Sequence, residues 1–95
     1  MSDLVISLDH VPKTEVPPRV VLALREELEA DGMTKGRFTI GEVNADKTSV
    51  YFLWHDSGEV PISMLVERDH LTEEPAARAA AATFLAKWKR RLLAE

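Results

Sequence analysis

The sequence predicts a two-layer α+β domain with the element order β-α-β-β-β-α, in which an antiparallel three-stranded meander carries two helices on one face. Three observations lead there. Apolar residues alternate in three consecutive segments between Arg37 and Glu67, helical spacing brackets those segments on both sides, and turn-forming residues fill the gaps.

Leu4-Val5-Ile6-Ser7-Leu8 is a short β-type run, closed by Asp9-His10 and the proline-bearing stretch Val11 to Pro18. Pro17-Pro18 cannot continue a strand, but proline suits the first turn of a helix. Helix one follows from about Pro18 to Asp31, with Val20, Val21, Leu24 and Leu28 on one face and Arg25, Glu26 and Glu29 on the other. Gly32 is placed to end it as the C′ residue.

Arg37 to Val43 then alternates, with Phe38 and Ile40 on one side. Ser49 to His55 sets Val50, Phe52 and Trp54 against Tyr51, Leu53 and His55, and Pro61 to Glu67 sets Ile62, Met64 and Val66 against Ser63 and Leu65. Asn44 to Thr48 and Asp56 to Glu59 have turn composition and hairpin length. Helix two runs from Thr72, read as its cap, with Glu73 and Glu74 at the positive end and Pro75 in the first turn. Its apolar arc is Ala77, Ala80, Ala81, Phe84, Leu85, Trp88 and Leu92, expected to lie across the richer sheet face with Trp54 and Trp88 both largely buried.

Ninety-five residues make one domain, residues 1–95, with enough length for a modest core. Cysteine is absent, which excludes disulfides, thiolate metal sites and thiol catalysis. No charged-then-apolar leader opens the sequence and no apolar run approaches the roughly 20 residues of a membrane span, so a soluble cytoplasmic protein is expected. The formal charge of −4 is uneven: residues 84–95 sum to +3 and the remainder to −7. Lys87, Lys89, Arg90 and Arg91 form the basic cluster, and they are the alternative contact set for a nucleic-acid partner. Two features oppose that use. Cations suit a helix C-terminus by about 0.3–1 kcal/mol each, and on a helical wheel these four scatter around the apolar arc, as stems covering a core rim would.

Each histidine stands beside an aspartate, as Asp9-His10, His55-Asp56 and Asp69-His70. His55 and His70 belong at opposite ends of an antiparallel pair, roughly 20 Å apart at about 3.3 Å per residue, so they cannot share a metal. No metal site and no cofactor is expected. The serines lie in no nucleophile context and the glycines form no phosphate cradle, so no catalytic residue is assigned.

From helix one onward the order α-β-β-β-α resembles that of a double-stranded-RNA-binding domain, and Ala79 to Leu85 resembles that family's alanine-rich second helix. The resemblance implies phosphate-gripping lysines at the start of the second helix. This chain has Glu73 and Glu74 there, so no binding residue carries over.

Two surfaces remain once the core is assigned. The second sheet face holds Val43, Tyr51, Leu53 and Leu65 among Arg37, Thr39, Ser63 and His55, unless the first strand and the Val11 to Val16 loop cover it. The outer side of helix two holds Ala79, Ala82, Ala86 and Leu93. The functional expectation is a small non-enzymatic domain that binds another protein, self or foreign, through Tyr51, Leu53, Leu65 and Val43. Its size and composition suit a bacterial or phage-encoded accessory factor or inhibitor.

Overall fold

The computed structural model describes residues 3–12, 14–43, 46–55 and 61–94. The elements are β1 (Asp3–Asp9), α1 (Pro18–Ala30), β2 (Lys35–Val43), β3 (Asp46–His55), β4 (Ile62–Glu67), a 3-10 turn (Arg68–Leu71) and α2 (Glu74–Ala94). The predicted turn at Asp56 to Glu59 and the residues Asn44 and Ala45 lie outside the described residues.

The fold is α+β in two layers, as the alternation and helical spacing indicate, but the sheet has four strands in the order β1-β2-β3-β4. The predicted meander is present: β2 and β3 pair antiparallel, as do β3 and β4. To it β1 adds a parallel fourth strand, with Leu4 opposite Gly36, Ile6 opposite Phe38 and Leu8 opposite Ile40. A strand, a crossing helix and a second strand are what parallel pairing requires, since no tight turn can return the chain in the same direction.

Helix one ends as its composition dictates. Gly32 has φ of 92°, its amide donates to the Glu29 carbonyl at 3.1 Å, and the Met33 amide donates to Leu28 at 3.0 Å. This reciprocal pair is a Schellman closure, and it buries Met33. The start of α2 differs from expectation. Thr72 closes the 3-10 turn, its hydroxyl donating to the Asp69 carbonyl at 2.8 Å, and the first helical bond runs from the Ala77 amide to Glu73 at 3.0 Å. The turn seats Leu71 in the core.

Both helices cover one sheet face. Val20, Leu24 and Leu28 of α1 and Ala77, Ala81, Phe84 and Leu85 of α2 join Phe38, Ile40, Val50, Phe52, Trp54, Ile62 and Val66 in a single buried cluster. Phe38, Phe52 and Phe84 meet edge to face, with centroids 4.9, 5.4 and 5.9 Å apart. Trp54 is buried and meets Trp88 edge-on at 6.5 Å, but Trp88 itself is half-buried. Leu92, placed in the apolar arc by its spacing, is 44% exposed. The cause is length. Arg91 already reaches the Pro61 carbonyl just before β4, so among the described residues the last turn of α2 runs past the start of that strand.

The proline-bearing loop does not cover the second sheet face. Val11 and Val16 are buried in the cluster on the helix side, and Arg68 holds the loop there by donating to Glu15 at 2.8 Å. Among the described residues nothing covers the second face.

Candidate interaction surface

Register fixes which residues share the open face. Across the sheet run Val5, Arg37 and His55; then Ser7, Thr39, Leu53 and Ser63; then Asp9, Gly41, Tyr51 and Leu65; then Ser49 and Glu67. Tyr51 is the centre of this surface. Its ring lies on Gly41, so closely that a Cβ there would overlap the ring. Its hydroxyl reaches across β2 and donates to Asp9 Oδ2 on β1 at 3.2 Å. A side chain that starts on β3 is thereby laid flat over β2 and anchored on β1. Burial raises the Tyr51 pKa, and the hydrogen bond to Asp9 and the Asp9 charge raise it further. Beside it Ser7 and Thr39 share a hydrogen bond at 3.1 Å.

The sequence-predicted residues gather in part. Leu65 is directly opposite Tyr51 in register and is 69% exposed. Leu53, half-buried, is two residues along the same strand, between Thr39 and Ser63. Val43 does not join them: it lies past a register shift and pairs with Asp46 at the sheet's end. Sequence reading missed Asp9 and Gly41, the tether and the seat of Tyr51. A glycine inside a strand pattern was the available signal, because such a residue commonly marks close approach by another group.

The sheet edges are blunted. On β1 the Leu4 carbonyl accepts from Arg25 of α1 at 2.9 Å. Beside β3's other neighbour, the Ser63 carbonyl of β4 accepts from Lys87 at 2.6 Å and the Pro61 carbonyl from Arg91 at 3.3 Å. Cations laid along an edge strand disfavour pairing with another strand.

Those bonds also account for much of the basic cluster. Lys87 and Arg91 serve the β4 side, whereas Lys89 turns to the other helix and meets Asp31 at 3.1 Å. Arg78 completes the interhelical set, contacting Glu27 at 2.9 Å and Glu26 at 3.8 Å on α1, and it also meets Glu74 of its own helix at 2.8 Å. The bonds to Glu74, then Glu27, raise its pKa. The acidic residues of α1 and the basic residues of α2, far apart in sequence, thus neutralise one another along the helix–helix rim. Arg90 makes no hydrogen bond or ion pair among the described residues.

The histidines stay apart. His55 ends β3, His70 follows β4 at the opposite end of that pair, and His10 stands 3.4 Å from Asp9 at a φ of 62°. Among the described residues no group of three His, Cys, Asp or Glu side chains is arranged to hold a metal, and no helix is long and apolar enough to cross a membrane. Comparison with protein-family models, curated proteins and solved structures finds no match to this chain.

Proposed function

We propose that this chain is a small non-enzymatic protein-binding domain, of accessory, regulatory or inhibitor type, working in the cytoplasm and receiving its partner on the open sheet face. The observation that carries the reading is Tyr51 held flat between Gly41 and Asp9 on a face that no described helix or loop covers. Aromatic residues with a polar tip dominate binding energy at protein interfaces. One already fixed in place loses little rotamer freedom on binding, so more of its contact energy appears as affinity. Leu53 and Leu65 add apolar surface beside it, and the capped edges turn recognition from strand addition toward the face. The absence of cysteine suits a reducing compartment.

The test uses the partner recovered with the intact chain from its native cell and identified by mass spectrometry. Tyr51→Ala with Leu53→Ser should weaken that partner's affinity by roughly 30-fold or more, the effect of losing one hot spot of about 2 kcal/mol. Circular dichroism should be unchanged. Charge reversal at Lys87, Lys89, Arg90 and Arg91 should leave the affinity within a few-fold. Full binding by the Tyr51/Leu53 variant would sink the reading. Loss on charge reversal, with a steep salt dependence, would replace it with nucleic-acid association through the end of α2.

A further inference from the structure

We infer that the occupant of the open sheet face is a second copy of this chain, related to the first by a two-fold axis that crosses the strands. The inference rests on the open-face reading and names its partner.

Among the described residues the open face carries opposite charge at its two ends. At one end Arg37 and His55 are paired in register and exposed. Beyond them Asp3 and Lys35 stand opposite one another and offset. At the other end lie Asp9, opposite Gly41 and 3.4 Å from His10, and Glu67, opposite Ser49 and 3.9 Å from His70. Between Arg37 and Glu67 run Ser7, Thr39, Leu53 and Ser63, then Tyr51 and Leu65 level with Asp9, none of these six charged. Among the described residues Arg37 makes neither an ion pair nor a hydrogen bond.

A closed dimer uses one patch twice, so the patch must complement itself. A face of single sign fails that condition, and this face meets it. An axis crossing the strands lays the Arg37 end of each copy over the Asp9 and Glu67 end of the other, so the favourable contact is made twice. It also brings Tyr51, Leu53 and Leu65 of both copies around the axis. An axis along the strands would instead set Arg37 against Arg37 at one end and the Asp9 and Glu67 carboxylates against their own copies at the other, which like charge opposes. Both pairs of helices remain outside, and two open sheets about 10 Å apart become the inner layers of a sandwich.

The face sets the strength of the contact. Four strands about 4.8 Å apart, over six or seven residues at about 3.3 Å, present a patch of roughly 20 by 20 Å, below the standard interface size and in the range of weak, transient contacts. The dimer is therefore concentration-dependent.

Sedimentation velocity on the full chain, from about 1 μM to about 1 mM, spans that regime. The mass should rise from one chain to two. Arg37→Glu and Glu67→Arg should each move the midpoint at least about tenfold higher, because each sets like charges against one another. The double variant Arg37→Glu/Glu67→Arg should return to within a few-fold of the natural chain, with unchanged circular dichroism throughout. A single chain mass at every concentration overturns the inference, as does association indifferent to both reversals or a double variant that fails to recover. If the chain stays single while Tyr51→Ala/Leu53→Ser loses a foreign partner, the second copy is wrong and the open-face reading stands. Self-association untouched by the Tyr51/Leu53 variant removes this face as the site of the dimer.

Discussion

The two faces of this sheet are written in the same alternating code, yet only one of them is a core. On the covered side, Phe38 and Phe52 of the sheet and Phe84 of α2 are fully buried and in mutual edge-to-face contact. On the other side Tyr51 and Leu53 of the central strand β3 and Leu65 of the edge strand β4 have nothing above them among the described residues. Each face also sets an aromatic ring against a glycine. Trp54 crowds Gly36 on the covered side, and Tyr51 lies on Gly41 on the open side. The covered ring is fixed by packing against its neighbours. The open ring is fixed by one hydrogen bond to Asp9. Apolar alternation marks a residue as able to be buried, and only the second layer decides whether it is.

The largest test of that contrast is at the centre of the covered face. Phe84→Ala should lower unfolding free energy by about 3–5 kcal/mol, the usual cost of a buried aromatic truncation. This is a large share of the stability of a domain this size. Trp88→Ala should cost roughly half as much, since Trp88 is half-buried toward the end of α2. Equal losses in urea denaturation would show that the end of α2 is as firmly docked as its middle.

The two glycines sharpen the comparison at smaller scale. Gly36 has φ of 134°, and a Cβ there would stand 2.7 Å from the Trp54 ring and 2.9 Å from the His55 carbonyl oxygen. Gly36→Ala meets both backbone strain and an immovable neighbour, so a loss of about 1–3 kcal/mol is expected. Gly41→Ala meets only the far end of a side chain that can swing into solvent. Its effect on stability should stay within about 1 kcal/mol, because lost ring contact is offset by the lower chain entropy of alanine. A severe loss at Gly41 would mean that Tyr51 supports the fold and is not simply displayed by it.

Much of this was legible in the sequence. Period-two alternation placed Phe38, Ile40, Val50, Phe52 and Trp54 together, and set Tyr51, Leu53 and Leu65 on the reverse, because strand geometry leaves no other choice. Gly32 announced the end of α1 for an equally local reason. What was illegible was non-local. Leu4, Ile6 and Leu8 alternate as clearly as Phe38 and Ile40, but nothing within β1 says which strand it joins. Pairing of Arg78 with Glu27, and of Lys89 with Asp31, depends on how two helices cross. Leu92 was misplaced because a helical wheel records direction and ignores where the sheet ends.

The smallest effect tests the tether itself. Tyr51 is the only tyrosine in the chain, so the rise of tyrosinate absorbance with pH reports one site. Burial, then the hydrogen bond to Asp9 and the Asp9 charge, hold its pKa above the ordinary phenol value, which is about 10. A phenol whose folded pKa exceeds its unfolded one favours the folded state fully below about pH 10, and that contribution is lost as pH rises through the folded value. Asp9→Asn should bring the midpoint down toward the ordinary value without reaching it, because burial on Gly41 remains. Gly41→Ala should bring it down as well, by lifting the ring from its seat and away from Asp9. Phe84→Ala, on the far side of the sheet, should leave it where it was under conditions that keep the variant folded. An ordinary midpoint in the natural chain, or one that ignores Asp9→Asn, would show that Tyr51 turns freely, and the open face would lose the fixed aromatic on which its reading as an interface depends.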